Sequence, residues 1–392
     1  MRYKIFVTLV IVIIVSGFFV VRSFINRPIE FSSEDFKNVI LIGWDGVDVN
    51  YLHELLDKGE LPNLKKLIGE GILVNTFITT GATDTKAGWA EILTGYGPEI
   101  TDVWDNKYYR PVPSGYTIFE RLEDHFGKEN IATVFLTGKH NNLGARGSHR
   151  LCLNCLPRDP KTRMKMSNLI MKSLSSAVDY KEQYEPVRRE APASPGTGRE
   201  TIIDHEQGPF VLMPPHKEMM LDPREREGEP YYYAKDNVDV YLSNLGNGFE
   251  VGSRALAYLE QYQAERFFMF FHFEEADEQG HRWGGGSPEY TKGLILADEW
   301  LGQIVFKLKE LELYKETLLY VTTDHGFETA GVVEHRGFEH RQQSHTFLAT
   351  NDMAVQRGGN RKDITPTILS RYGIVLGDIF PKLNGASLID EK

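Results

Sequence analysis

Seven side chains able to bind a divalent metal lie in five short stretches of a 392-residue chain. They are Asp45 in VILIGWDGVD, Thr85 in GATDTKAGWAEILTG, and Asp277 with His281 in EEADEQGHRWG. Asp324 and His325 follow in VTTDHGF, and His345 in QQSHTFLATND. Carboxylate oxygens and imidazole nitrogens in this mixture suit Zn²⁺, with Mn²⁺ or another divalent ion as the alternative. Three aspartates, three histidines and a threonine are enough for two neighbouring ions. Two such ions stabilise both the entering and the leaving oxygen of an in-line displacement. A threonine hydroxyl is a weak nucleophile at its own pKa, and metal coordination turns it into an alkoxide. The set points to attack by Thr85 on a phosphorus or sulfur ester.

Each fragment also has a blander reading. An aspartate after a strand commonly caps a helix, TDHG is a fair turn, and a threonine in a loop is commonly structural. Asp277 and His281 share one face if their segment is helical, but Gly280 makes it loop-like. What raises the specificity is the appearance of all of them, in order, at strand ends. His53, His125, His140 and His149 read as surface or capping residues. His335 and His340 are substitutes for His345, which is preferred because it precedes the strand-like TFLA.

The elements that must position these residues alternate between strand and helix. Val39 to Gly43, Ile131 to Thr137, Arg266 to Phe273 and Thr317 to Thr323 are short continuous apolar runs, the pattern of strands buried on both faces. Helical periodicity covers Thr85 to Thr94, with Thr85 at its N-terminal end, and also Tyr116 to Phe126, Val251 to Gln263, Glu289 to Leu311 and Ile364 to Tyr372. A helix N-terminus at Thr85 would offer backbone N–H groups to anionic oxygens. The rhythm predicts a doubly wound, mostly parallel α/β sheet with its site at the carboxyl edge. From about Gly138 to Asn244 the texture changes to Pro, Gly and charged residues. The predicted organisation is therefore an N-terminal segment over 1–30, a core over 36–140 and 245–392, and an inserted cap or substrate region over 141–244. Tyr231 to Tyr233 in that region read as packing residues.

Composition bounds the function. Charged residues make up 25% and hydrophobic residues 41% of the chain, and the net charge is -11. An acidic surface is a poor partner for duplex nucleic acid, which takes a basic face. A small phosphorylated substrate remains compatible, because bound metals invert the local field. Ile5 to Val21 form an apolar run flanked by Arg2, Lys4, Arg22 and Arg27. Without a small-x-small cleavage site it reads as an uncleaved signal anchor, a transmembrane helix with the catalytic domain outside the cytoplasm. A removed signal peptide, giving a secreted protein, is the alternative. In such a compartment Cys152 and Cys155 read as a small-loop disulfide. The oligomeric state has no signature in the sequence.

Together these motifs resemble the alkaline phosphatase superfamily, in particular its type I phosphodiesterase/nucleotide pyrophosphatase branch. The resemblance rests on Asp45 after its strand, on Thr85 before a helix ending Leu93-Thr94-Gly95, on E-x-x-D-x-x-G-H from Glu274 to His281, and on Asp324-His325-Gly326. The ending DITPTILSRYGI…LNGASL is similar to the superfamily's C-terminal helix and tail. The resemblance implies an alkaline phosphatase-like fold and two metals. Asp277, His281 and His345 would hold one; Asp45, Thr85, Asp324 and His325 would hold the other. It also implies that Asn106, in ITDVWDN, holds a phosphoryl oxygen. Lys86 is a candidate phosphate contact, with a solvated helix residue as its bland alternative.

The sequence departs from the branch around the nucleophile, where Asp84 replaces the usual Lys and Lys86-Ala87-Gly88 the usual aromatic and Pro. Thr85 and Trp89 also lack the C/S-x-P-x-R context of formylglycine sulfatases. The expectation is a phosphodiesterase-type hydrolase working through a phosphothreonine intermediate. A phosphotransferase acting on lipid or cell-envelope headgroups, and a noncatalytic binding protein on the same fold, are the alternatives.

Overall fold

The computed structural model describes residues 36–150, 225–328 and 341–389. Its centre is an eight-stranded sheet. In chain order the strands are β1 (Asn38–Trp44), β2 (Ile72–Phe77), β3 (Ala132–Thr137), β6 (Val240–Leu242), β7 (Phe267–Phe273), β8 (Thr317–Thr322), β9 (His345–Thr350) and β10 (Gly359–Asn360), while β4 (Gly147–Arg150) and β5 (Glu225–Gly228) pair separately. The spatial order is β10-β2-β9-β8-β1-β7-β3-β6. Only β9 runs antiparallel to its neighbours. β1, β3, β7 and β8 are buried along their whole length, as continuous apolar runs must be when helices cover both faces.

One face packs against α1 (Val49–Lys58), α2 (Pro62–Glu70), α5 (Gly248–Gln261) and α7 (Pro288–Glu310) through Leu52, Leu64, Leu259 and Leu301. The other packs against α3 (Thr85–Thr94), α4 (Ile118–Phe126) and α8 (Ile364–Arg371) through Trp89, Phe119 and Ile368. Alternate residues of β1, Ile40 and Ile42 against Val39 and Leu41, serve the two faces. The doubly wound reading is thus met.

Register lines up the strand ends. Gly43 of β1 lies between Thr322 of β8 and His272 of β7, and His272 lies beside Thr137 of β3. The residues just past these positions share one sheet edge. Because β9 is antiparallel, with Leu348 opposite Thr322, its first residue His345 lies at that same edge.

Three details depart from the sequence reading. β2, β6 and β10 were not anticipated; β2 alternates exposed and buried residues, and the other two are very short. Asp277 and His281 lie in a helix, α6 (Glu275–Trp283), whose Gly280 faces the Phe327 ring too closely for any side chain. β6 falls inside the span read as an insertion, yet it pairs with β3 at the edge of the main sheet. The β4–β5 pair brings Arg150 opposite Glu225, so the ends flanking residues 151–224 meet. Of the three tyrosines read as packing residues, Tyr231 is buried against Phe135, whereas Tyr233 is exposed.

Ile5 to Val21, Cys152, Cys155, His335 and His340 lie outside the described residues. No helix among the described residues is long and apolar enough to cross a membrane.

α3 is buried at every position, so its acidic residue, Glu91, needs a partner. Arg361 supplies it, with Nε donating to Glu91 Oε2 at 2.8 Å and both groups fully buried. The same guanidinium donates to the carbonyls of Asp324 at 2.8 Å and of Thr80 and Ala82 at 3.1 Å each. One side chain thereby ties α3 to the turn after β8. Arg361→Met leaves Glu91 buried without its cation, with the Thr80 hydroxyl still donating to Oε1 at 2.8 Å, and should lower the unfolding free energy in urea by about 3–5 kcal/mol. The double variant Arg361→Met/Glu91→Leu should recover much of that loss; no recovery would mean that Glu91 is not the source of the cost.

Candidate active site

Asp45 is the first residue past β1, and its N–H bonds the Phe273 carbonyl at 3.0 Å, carrying the β1–β7 pairing one step further. Gly46 then turns the chain with φ +65°. A side chain here would be strained and would meet Asp277 Oδ1 at 2.7 Å. The Gly46 N–H donates to Asp324 Oδ1 at 3.2 Å, and its carbonyl accepts from the Tyr290 hydroxyl at 2.8 Å. This turn brings three carboxylates from three elements together: Asp45 after β1, Asp277 on α6, and Asp324 after β8.

His325 joins them, with Nε2 3.4 Å from Asp324 Oδ2 and 3.5 Å from Asp45 Oδ1. Its Nδ1 lies 3.0 Å from the Gly326 carbonyl, which can only accept. In a neutral ring the proton therefore sits on Nδ1, and Nε2 presents a lone pair, the form a metal ligand needs. Ligand atoms of Asp45, Asp277 and His325 all lie within 4.8 Å of one another. Asp45 Oδ1 and Asp324 Oδ2 are buried and have no hydrogen-bond donor among the described residues. Buried carboxylate oxygens without donors are costly unless a cation satisfies them. The residues present thus fit a divalent metal. The close trio draws Asp277 from one implied ligand set and Asp45 and His325 from the other, so the two sets adjoin.

His281 lies one turn after Asp277, with Nε2 3.4 Å from Asp277 Oδ1. His345 stacks on Phe77, with ring centroids 4.9 Å apart and an angle of 6°. Both stand outside the trio.

Thr85 is the first residue of α3 and is buried. Asp84 caps the helix, accepting from Ala87 N at 3.4 Å and, through its other oxygen, from Asn106 N at 2.7 Å. Asn106 Oδ1 in turn accepts from Lys86 N at 2.9 Å. Asn106 is thus fastened to the first turn of α3. Gly88 allows α3 to approach the turn after β8, since a Cβ there would lie 2.5 Å from Asp324 Cβ.

Lys86 is not a solvated helix residue. It is buried, donates to Asn142 Oδ1 at 3.0 Å, and lies 4.4 Å from the centre of the Tyr109 ring. Burial lowers its pKa to about 8.

Two residues of this site were not anticipated. Lys139, just past β3, places Nζ 2.6 Å from Asp277 Oδ2, 3.0 Å from Asp45 Oδ2 and 3.1 Å from Thr85 Oγ1. His272, next to last in the aromatic strand β7, has Nε2 2.8 Å from Asp45 Oδ2 and Nδ1 3.1 Å from Thr137 Oγ1. A lysine is no metal ligand, and a histidine within FFMFFHF reads as core. The available signal was position: Lys139 follows its strand just as Asp45 and Asp324 follow theirs.

These contacts set the charges. Burial pushes the Asp45 carboxyl up, but Lys139 and His272 pull it back to a net position below its ordinary value. Asp324 is held well above the carboxylate range by burial and by Asp45. Burial draws the Lys139 ammonium down, yet Asp277 and Asp45 raise it overall. Burial lowers the His272 imidazole, favouring the neutral ring.

The family profile described as type I phosphodiesterase / nucleotide pyrophosphatase matches residues 39–369. Venom phosphodiesterase 2 of Crotalus adamanteus is 35% identical over 77 residues, 19% of this chain and 10% of the relative. Ectonucleotide pyrophosphatase/phosphodiesterase family member 1 of Homo sapiens is 35% identical over 95 residues, 23% of this chain and 10% of the relative. The aligned stretches span about a tenth of the length of these curated relatives. Among solved structures, the phosphonate monoester hydrolase of Agrobacterium radiobacter matches 90% of this chain and 76% of its own, with TM-score 0.50 and 15% identity. A 2-O GAG sulfatase matches 90% of this chain and 73% of its own, with TM-score 0.51 and 12% identity. Both likenesses show a shared fold.

The raised Asp324 carboxyl has a sign. In the metal-free protein its contribution to stability is present below the ordinary carboxyl pKa and is lost as pH rises toward the folded value. At neutral pH, Asp324→Asn should therefore leave the metal-free protein as stable or more so. Saturating Zn²⁺, at a hundred times its dissociation constant, should stabilise the wild type by about 2.7 kcal/mol and the variant by less. Thermal unfolding with and without a chelator checks both parts, and an equal zinc gain in the two proteins would remove Asp324 from the ligand set.

Proposed function

Because the chain belongs to the type I phosphodiesterase / nucleotide pyrophosphatase family, we propose that it is a metal-dependent phosphoric ester hydrolase that cleaves diesters with Thr85 as nucleophile. The observation that carries this reading is the buried Thr85 hydroxyl at the N-terminus of α3, beside the Asp45–Asp277–His325 group. We assign Asp45, Thr85, Asp324 and His325 to one ion and Asp277, His281 and His345 to a second, with zinc as the best chemical match. The ions would supply Lewis acidity toward the phosphoryl and nucleophile oxygens.

The rest falls to the protein's own groups. In the first half-reaction the Thr85 Oγ1–phosphorus bond forms and the ester P–O bond breaks. The hydroxyl proton passes to solvent, and the departing alkoxide takes one up as the alcohol. In the second, water splits the phosphothreonine, restoring the Thr85 hydroxyl and releasing the phosphorylated product. Asn106 is positioned beside the first turn of α3, where its amide N–H₂ serves a phosphoryl oxygen. The ammonium of Lys86 adds positive charge on the helix side.

The core over 36–140 and 245–392 holds the catalytic groups, and 141–244 is assigned to substrate selection. Ile5 to Val21 would anchor the protein with this domain outside the cytoplasm.

Thr85→Ala should lower kcat toward bis-4-nitrophenyl phosphate by on the order of 10³-fold or more, with zinc binding largely kept. The wild type should prefer this diester to 4-nitrophenyl phosphate. Undiminished turnover by Thr85→Ala would overturn the nucleophile assignment, and a clear preference for the monoester would overturn the diesterase reading.

A further inference from the structure

The ammonium of Lys139 touches the atom that the proposed chemistry activates. Its Nζ donates to Asp277 Oδ2 at 2.6 Å and to Thr85 Oγ1 at 3.1 Å, and forms an ion pair with Asp45 Oδ2 at 3.0 Å. The side chain is 13% exposed, unlike an ordinary solvated lysine. Its backbone is held on both sides, with its own N–H on Thr137 Oγ1 at 3.1 Å and its carbonyl accepting from Asn244 N at 3.1 Å. Gly138, the residue before it, bonds the His272 carbonyl at 3.4 Å. The ammonium is thus delivered to the nucleophile from a fixed point just past the end of β3.

The Thr85 contact has a defined direction. An ammonium can only donate, so Thr85 Oγ1 accepts here and its own proton points elsewhere. When that proton leaves, the charge developing on the buried oxygen is already opposite a fixed cation at hydrogen-bond distance. Donors arranged before the reaction, at the place where negative charge develops, favour the transition state most. The two carboxylate contacts hold the ammonium in place and neutralise part of the charge that Asp45, Asp277 and Asp324 bring together.

Building on Thr85 as the nucleophile, we propose that Lys139 is a catalytic residue: its ammonium stabilises the Thr85 oxygen as it loses its proton and attacks phosphorus, and it serves as permanent counter-charge to Asp45 and Asp277. In the balance of the first half-reaction Lys139 gives up no proton and forms no covalent bond. It holds the nucleophile oxygen before attack and the ester oxygen of phosphothreonine afterwards.

The test uses the full chain loaded with zinc. Lys139→Met should lose on the order of 10²–10³-fold in kcat toward bis-4-nitrophenyl phosphate, with KM changing far less, as removal of one oxyanion donor does. Lys139→Ala should regain part of its kcat in ethylammonium but not in sodium of equal ionic strength, an effect that a purely structural lysine would not produce. A second readout needs no turnover. Lys139→Met should bind Zn²⁺ tighter, by on the order of tenfold, because the cation competing for Asp45 and Asp277 is gone.

A kcat within threefold of wild type, the absence of ethylammonium rescue, or unchanged zinc affinity would each overturn the proposal. Thr85→Ala serves as the control for the reading beneath it. If that variant is dead while Lys139→Met is unaffected, only the role of Lys139 falls; if Thr85→Ala is active, the nucleophile assignment itself falls.

Discussion

The structure is organised by the meeting of three buried carboxylates, Asp45, Asp277 and Asp324, at one edge of the sheet. Like charges at this separation, away from water, cannot all stay ionised without positive charge among them. The protein supplies part of it with Lys139 and lets the Asp324 carboxyl rise. It supplies neutral donors too, from His272 to Asp45 and from Gly46 N–H to Asp324. Even so, one oxygen each of Asp45 and Asp324 has no donor among the described residues. What the fold leaves incomplete at this spot has the charge and the ligand chemistry of a divalent cation.

Much of the surrounding architecture is explained by holding that cluster against its own repulsion. Gly46 and Gly88 take away the side chains that would keep Asp277 and Asp324 at a distance. Tyr290 clasps the turn after β1 from α7, donating to the Gly46 carbonyl and accepting from Asp48 N–H at 2.9 Å. Arg361 gives up solvation to join Glu91, the Asp324 carbonyl and the loop leading to α3. α3 and the turn carrying Asp324 and His325 are thus set relative to each other by one planar side chain, whose fork of donors suits the task better than a lysine would.

The sequence made the strand ends and the aspartates just past them legible for a simple reason. Apolar runs buried on both faces stand out, and an aspartate directly after one has few packing roles. α3 was readable to its ends, because Asp84 and Gly95 are ordinary cap residues. What stayed hidden had equally physical causes. Lys139 and His272 matter through contacts with residues distant in the chain, and their local sequence gives each a bland reading. The burial of Lys86 follows from Tyr109 and Asn142 closing over it. The helix at Asp277 was masked by Gly280, whose place is explained by the Phe327 ring rather than by a loop. β6 and β10 are too short to carry a periodic signal.

The central claim is that this charged edge exists to activate Thr85 toward phosphorus, and the phosphoenzyme is its most direct witness. The zinc-loaded protein would be mixed with bis-4-nitrophenyl phosphate, quenched in acid within the first turnover, digested and mapped by mass spectrometry. The account predicts a phosphoryl adduct on Thr85, in the peptide that also contains Asp84 and Lys86, and its disappearance when turnover is complete. Turnover without any adduct on Thr85, or an adduct on another residue, would contradict it.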